Sequence, residues 1–549
     1  MPLPVSTPGL TWPPPQLAAV TPQLEEWSAW YSGDTQALRG HYQGARAART
    51  VRPSQMAGGI VGAVSRMFWG SPPAQGQQDT KLHVPVASDI ATASADLLFA
   101  EDVAITYDLG DETAPDGTVT RNGATKAAQN RLDEILDANN WASLLLEAAE
   151  VAAALGGVYL RCTWDTAIDA GRPILSAVHA DAAVPEFAYG RLRAVTFWRE
   201  VKRVGSQVWR HLERHEPGLI QHGLYVGTDN YLGDPRPLAD HPDTAGITLP
   251  REDGIPTGYP GLSAVYLPNM RPNRLWRNLP QAASLGRSDL AGIEGQMDAL
   301  DETLTSWMRD VRLGKARLLV PEYMLSNAGP GSANTWNIDQ EVFQLLNSPP
   351  TSDGTFAQQI SPQQFAIRHA EHSQTMQQML GIIFRGAGYS ASTFGLADAE
   401  GAQQTATEVS ARERRSTTTR EKKTRYWVDG LREFLVAVAA IDKQQFRGQI
   451  PLDAVPRIEF APSSAPTPEQ LAATVQLLNA AEAVSTDTKV RMLHPDWEES
   501  DIGQEVAKIL EERAASMPAD PFAIPPGAEG GGDPEADDEF TPDQPPAQE

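Results

Sequence analysis

The chain has 549 residues, enough at about 150 per domain for three or four structural units. Its composition, 41% hydrophobic and 21% charged, is that of a globular protein rather than a disordered one. A formal net charge of −25 repels nucleic acid and anionic lipid, which argues against a sequence-reading DNA binder with a basic footprint.

That acidity is global. The segment from Glu529 to Glu549 has eight carboxylates and no Lys or Arg, a minority of the excess. The single cysteine, Cys162, excludes an internal disulfide and a multi-cysteine zinc site and is compatible with a reducing compartment. The opening MPLPVSTPGLTWPPP has no signal-peptide pattern. The longest clear apolar run, Phe434 to Ile441, is far too short to cross a bilayer. A soluble, cytoplasmically made chain with no membrane partner is expected.

Residues 1–80 mix Pro-rich linker with aromatic helical pieces such as LEEWSAWYSGD. KLHVPVASDIATASADLLFAED, residues 81–102, starts extended and turns helical, with Ile90, Ser94, Leu97 and Leu98 in register. Residues 127–155 predict one strong helix carrying Leu132, Ile135, Leu136, Leu144 and Leu145, closed by Gly156-Gly157. The period then changes. GVYLRCTWD, PILSAVHA, LRAVTFWREV, QVWRHLERHE and LIQHGLYVG are short, β-branched and aromatic, and predict an antiparallel meander of about 100 residues.

SDLAGIEGQMDALDETLTSWMRDVR, from Ser288 to Arg312, predicts a helix. Its apolar residues Leu290, Ile293, Met297, Leu300, Leu304, Trp307 and Val311 step alternately by 3 and 4, a narrow seam suited to shallow helix packing. Its opposite face holds Ala291, Gly292, Gly295, Ala299 and Ser306, and two interior glycines cost roughly 0.8–1 kcal/mol each. Either the helix is buried in one domain, or it has a neighbour on each side, as in a ring of subunits. KARLLVP and EVFQLLN follow as β-like stretches. A capping box at Ser361-Pro362-Gln363-Gln364 predicts the start of a second seam helix with Phe365, His369, His372, Met376, Met379 and Ile383.

After the loop YSASTFGLADAEGAQQ, Thr405 and Glu408 cap a long helical pattern reaching Asp442. Thr417-Thr418-Thr419 is a plausible bend within it. Thr467-Pro468-Glu469-Gln470 opens the helices of 468–515, and everything after Met517 reads as disordered from its Pro, Gly and acid content.

Searches for chemistry yield little. RLGKAR lacks the upstream glycine and hydroxyl of a phosphate loop, GYSAS misses the final glycine of a nucleophile elbow, and H-E-x-x-H is absent. His369, Glu371 and His372 hint at metal, but the histidines lie in the apolar seam without a third ligand. Asp298, Asp301 and Glu302 read either as a carboxylate metal site or as a solvated helix face. The run Arg412 to Arg425, with seven Lys/Arg and two Glu, reads as solvated surface or as an inter-subunit or phosphate contact. No cofactor, metal or catalytic residue is expected.

Taken together, WYSGD, HVPVASDIATASADLLFAED, AALGGVYLRCTWD, YGRLRAVTFWRE, WRHLERHEPGLIQHGLYVGT, GRSDLAGIEGQMDALDETLTSWMRDVRLGKARLLVP, GAGYSASTFG and TATEVSARERRSTTTREKKTRYW resemble portal proteins of long-tailed bacteriophages. The resemblance spans about residues 20–515 and is carried by many segments rather than one motif. It implies an α+β portal-type fold with wing, helical stem, small α/β clip and helical crown, assembled as a ring of typically twelve subunits at one capsid vertex. The ring is non-enzymatic, lets double-stranded DNA pass without sequence specificity, and serves packaging, head–tail joining and ejection. Implied partners are the terminase large subunit, the head–tail adaptor, the major capsid protein and scaffold.

Mapped onto the chain, the resemblance implies an N-terminal arm (1–80), wing (81–287), first stem helix (288–313), clip (314–362), second stem helix (363–387), tunnel loop (388–404), long helix (405–445), crown (446–517) and acidic tail (518–549). Tyr389, Ser392, Phe394 and Leu396 would belong to the DNA-channel loop, or pack against a neighbouring loop. The two seams would pack against stem helices of the same and adjacent subunits. Competing expectations are another virion structural protein, such as a head–tail adaptor or capsid component, and a metal-dependent enzyme acting on DNA.

Overall fold

The structure, a computed structural model, describes residues 3, 10–42, 81–113, 119–251, 253–313, 317–321, 343–346, 361–363, 368–396, 406–461, 468–481, 483–494, 497 and 499–516. It is a mixed α+β chain in two units, Met1–Ser463 and Ser464–Glu549.

The first unit opens with helices α1 (Thr21–Ser32) and α2 (Thr35–His41), then α3 (Val86–Phe99) and strand β1 (Ala104–Thr106). The helix expected over 127–155 is two: α4 (Gly123–Ala138) and α5 (Trp141–Leu155). Asn139-Asn140 breaks it. Asn140 sits at φ 47, a left-handed conformation that Asn tolerates. The Asn139 amide donates to Ile135 O at 2.8 Å and Pro173 O at 3.1 Å and accepts from Leu175 N at 2.8 Å, so its side chain competes with helix continuation.

Helix α5 ends as expected at Gly156, φ 85. Here the chain crosses itself in contact: a Cβ on Gly286 would lie 2.0 Å from Gly156 O, and one on Gly156 would lie 2.8 Å from Gly286 O. The crossing brings Ser288 and Asp289 beneath the end of α5. Ser288 Oγ donates to Ala154 O at 2.6 Å and Asp289 N to Ala153 O at 2.9 Å, satisfying carbonyls that a helix end otherwise leaves open.

The expected meander is two antiparallel sheets. Strands β2 (Gly157–Thr163) and β3 (Ile174–His179) pair with each other, and β2 pairs on its other edge with β10 (Ala264–Pro268). The second sheet has β4 (Ala183–Ala188), β5 (Arg191–Val204), β6 (Gln207–Glu216), β7 (Leu219–Thr228) and β8 (Tyr231–Arg236) in sequential order, with β9 (Ile255–Pro256) on β7. Sequential hairpins explain the second sheet, whereas the distant pairing of β2 with β10 leaves no local signal.

Next come α6 (Glu294–Leu313), a small sheet of β11 (Arg317–Pro321), β12 (Phe343–Leu346) and β13 (Ser361–Gln363), then α7 (His369–Ala387) and α8 (Ala406–Phe446). KARLLVP and EVFQLLN are strands, as expected, and β11 is the middle strand, parallel to β12 and antiparallel to β13. Two helix starts differ from expectation. α6 begins six residues late, because Gly292 sits at φ 89 and Glu294 folds back to accept from Gly292 N at 2.8 Å. Ser361-Pro362-Gln363 is not a capping box but the edge strand β13, a position where proline is tolerated. Phe365 lies outside the described residues.

Strand β14 (Arg457–Glu459) pairs with β1. The larger core cluster spans α1, α3, α5, β2, β10, α6 and α8, with Trp27, Trp30 and Trp427 fully buried, and a smaller one gathers Trp12, Leu212, Tyr225 and Leu232 at the second sheet. The alanine-rich α5 lets α3 approach closely through Ala91 and Ala95.

The second unit contains α9 (Pro468–Ala480), α10 (Thr486–Leu493) and α11 (Glu499–Ser516). Ser485 caps α10 by accepting from Thr488 N at 3.2 Å. Thr405, Thr467 and residues 517–549 lie outside the described residues.

Candidate functional site

Helices α6 and α7 form an antiparallel hairpin. At its base a Cβ on Gly386 would lie 2.5 Å from Ile293 Cγ2. Midway, Thr303 Oγ1 is 3.4 Å from Met379 Sδ. At the far end, Trp307 stacks on His372 with centroids 6.0 Å apart, and Asp310 accepts from His372 Nε2 at 3.0 Å and Arg368 Nη2 at 2.7 Å. Trp307 and His372, one from each expected seam, thus meet at this end.

Burial falls along the hairpin. Leu290, Ile293, Met297, Leu300 and Ile383 are buried; Leu304, Trp307, His372, Met376 and Met379 are half-buried; Val311 is 39% exposed and His369 is exposed. The far half of the seam thus has room for further apolar contact.

The base of the hairpin is bolted to α8. That helix runs unbroken through Thr417-Thr418-Thr419 for 41 residues, about 60 Å at 1.5 Å per residue. One stripe of it is buried, and the stripe changes character along its length. It is polar at Ser416, Thr419 and Lys423, then apolar at Trp427, Leu431, Phe434, Leu435, Val438 and Ile441.

The polar part grips the loop after α7. Ser416 Oγ accepts from Ser390 N at 2.9 Å and lies 2.7 Å from Thr393 Oγ1, while Thr419 Oγ1 donates to Gly388 O at 2.6 Å. Lys423 Nζ donates to Asp289 Oδ2 at 2.5 Å, Ser94 Oγ at 2.7 Å and Tyr389 OH at 2.9 Å. Asp289 also accepts from Tyr389 OH at 2.7 Å and Asn269 Nδ2 at 2.8 Å. Burial pulls the Lys423 ammonium below its ordinary pKa, and Asp289 opposes that shift. Burial, and then Asp289, push the Tyr389 phenol well up. The network ties α3, the start of α6, the end of α7 and α8 at one point.

Tyr389 is therefore an interior residue, 1% exposed, and cannot touch DNA from this position. Burial wins because its ring packs edge-on to Phe394, its hydroxyl is held by Asp289, and Lys423 donates to it. Phe394 stacks on Phe384 with centroids 3.8 Å apart, and Leu396 is half-buried against the core. Ser392 Oγ is buried without a hydrogen-bond partner among the described residues. Residues 397–404 of the expected loop lie outside the described residues.

Of the α6 carboxylates singled out above, Glu302 is exposed, but Asp298 and Asp301 are buried rather than solvated. Asp301 is buried and accepts from Tyr42 OH at 2.9 Å, His83 Nδ1 at 2.9 Å and Val84 N at 2.8 Å. Lys81 Nζ reaches Asp298 at 2.7 Å and Glu302 at 3.0 Å, and Leu82 N donates to Thr305 Oγ1 at 2.9 Å. They hold the extended segment 81–84 along the helix. Of the basic run, Arg414, Lys422 and Arg425 are exposed, while Arg415 donates to Arg385 O at 2.6 Å and Arg420 to Ala461 O at 2.5 Å.

Sequence reasoning also missed a histidine cluster on β6 and β7. His211 Nε2 is 3.2 Å from His222 Nδ1, with the rings 5° from parallel, and Arg199 Nε is 3.5 Å from His211 Nδ1. Arginine can only donate, so His211 carries its proton on Nε2 and donates to His222. Burial, followed by the neighbouring imidazole, lowers His211 to about 4. Glu213, held by Arg161 at 2.7 Å and His215 at 2.8 Å, stays ionised. The cluster opens on a cavity of about 480 Å³.

None of these clusters forms a catalytic set. Among the described residues, no group of three or more His, Cys, Asp or Glu is placed to hold a metal ion. Lys423 is sealed from solvent with all three of its protons engaged, so it offers no nucleophile. No helix among the described residues is long and apolar enough to cross a membrane.

The α6–α7 hairpin bears a small terminal sheet and is followed by one long helix, α8. Residues 256–519, which contain all three features, match the family model described as phage portal protein, SPP1 Gp6-like. Over that span, a little under half of its length, the chain is similar to phage portal proteins. No curated protein matches it by sequence. Among solved structures it matches a chain titled "Neck of native GTA particle computed with C12 symmetry". That match has 12% identity and a TM-score of 0.34, covering 80% of this chain and 93% of that one.

Proposed function

We propose that this chain closes into a homo-oligomeric ring, typically of twelve copies, that forms the DNA channel at one capsid vertex. In this reading α6 and α7 are the stem, residues 314–362 the clip, 81–287 the wing and 446–517 the crown. The ring admits the genome with the terminase, then joins the head–tail adaptor, and sits among major capsid protein and scaffold.

The observation that carries the reading is the hairpin of α6 and α7. It lies in the family-matched span, and its seam is covered at the base and progressively uncovered toward the small sheet. Small and polar residues face outward from α6 at Gly295, Gln296 and Ala299, where a neighbouring helix can approach closely. The acidic composition fits a conduit, since repeated Lys/Arg contacts would hold the phosphate backbone by counterion release.

The test is native mass together with particle images viewed down the symmetry axis. A channelled ring many times 59.4 kDa is expected. A chain that stays monomeric at high concentration, with capsid components present, defeats the reading.

A further inference from the structure

The four hairpin turns of the second sheet are not alike. Gly205-Ser206, Pro217-Gly218 and Asp229-Asn230 are ordinary turn residues, but β4 and β5 are joined by Tyr189-Gly190. Tyr189 is 106% exposed and held at φ 51, next to Gly190 at φ 80. Two successive left-handed residues suit Asn-Gly, and a bulky residue adopts this conformation only against its own preference. The strand pairing also slips by one residue here, between Glu186 and Phe187, so Arg193 is the bulged residue. Arg191 and Arg193 are exposed, and neither has an ion-pair partner among the described residues. The tip thus presents an aromatic ring and two guanidinium groups, the side chains that dominate interface energetics.

Elsewhere in the same unit lies a cavity of about 690 Å³ between the ends of α3 and α4 and the start of α5. Glu101, Asp102, Asp133 and Asp137 line it, with Phe99 and Trp141, and no lining residue is basic. Trp141 is 8% exposed, and its indole N–H has no acceptor among the described residues.

We propose that the Tyr189 hairpin tip of one copy docks in this acidic, aromatic-walled cleft of the next copy, an inference that rests on the ring reading above. Tip and cleft differ, so the contact is head-to-tail, the kind that closes into a ring or runs on as a filament. Opposite charge sets its register, and the exposed phenol ring supplies its apolar anchor.

The experiment compares assembly of the full chain with charge-reversed variants by sedimentation at fixed concentration, circular dichroism reporting folding. Arg191→Glu/Arg193→Glu and, separately, Asp133→Lys/Asp137→Lys each lower the assembled fraction at least tenfold. A chain carrying all four reversals regains assembly, because the pairing is inverted and not lost. Tyr189→Gly relieves the backbone, melts no lower than the parent and assembles at least tenfold less. In a further variant, Tyr189→Cys with Ser143→Cys gives a ladder of disulfide-linked copies, the native Cys162 being buried. Rings of one-sided variants that form as well as the parent overturn this contact and leave the ring reading standing. A parent chain that never assembles removes both.

Discussion

Lys423 Nζ lies 2.5 Å from Asp289 Oδ2, and each side chain is 1% exposed. The two residues sit on α8 and on the turn that leads into α6, so this ion pair is a joint between elements. Removing one member of a buried pair strands the other charge, which costs about 3–5 kcal/mol. Lys423→Met is expected to lower stability by that amount in urea unfolding. Adding Asp289→Asn removes the stranded charge and recovers about 1–2 kcal/mol, with full recovery barred because Tyr389 and Asn269 still need their acceptor.

The ion pairs at the far end of the hairpin behave differently. Asp310, Arg368 and His372 are joined by hydrogen bonds of 2.7–3.1 Å, but Arg368 is 66% exposed. Solvent screens exposed pairs, so they contribute little to stability. Asp310→Asn is expected to leave the urea midpoint almost unchanged, and the residual effect to vanish in high salt.

Asp301 is the anchor of the segment 81–84. Asp301→Ala leaves the Tyr42 hydroxyl, the His83 Nδ1–H and the Val84 amide without their acceptor. The expected loss is about 2–4 kcal/mol. Hydrogen exchange separates this from a general loosening: the Val84 amide gains exchange rate well beyond the amides of α5.

The histidine pair makes the second sheet acid-sensitive. His211 is depressed to about 4 from an ordinary 6.5, so the unfolded chain binds more protons between those values. Stability contributed by neutral His211 is complete above pH 6.5 and is lost as pH falls toward 4, by roughly 3 kcal/mol. His222 is lowered too and adds in the same direction. Glu213 is held below its ordinary 4.5 despite its burial, chiefly by Arg161, so its contribution is lost only as pH falls below 4.5. Urea titrations at pH 7, 5.5 and 4.5 should show a falling midpoint, and His211→Gln/His222→Gln should flatten the fall between 6.5 and 4.5.

Apolar spacing is a local property, legible along one helix without knowledge of its neighbours. Leu290 and Ile293 are buried as their spacing predicts, although Gly292 delays the helix itself to Glu294. What spacing cannot express is partnership over distance. Lys423 read as one charge in a basic run because its acceptor, Asp289, lies 134 residues away. Asp298 and Asp301 read as solvent-facing because their partners precede them by 217 and 218 residues. Tyr389 read as a loop aromatic for the same reason. Ser361-Pro362-Gln363-Gln364 has the local chemistry of a helix cap, and pairing with β11 overrode it.

The change in character along α8 has a mechanical consequence. Its apolar half is seated in the core, while Ser416, Thr419 and Lys423 hold the backbone and ring of Gly388–Tyr389 and the carboxylate of Asp289. A push or twist applied at the small sheet therefore travels down both arms of the hairpin to a single fastening. There it passes into α8, a single helix of 41 residues.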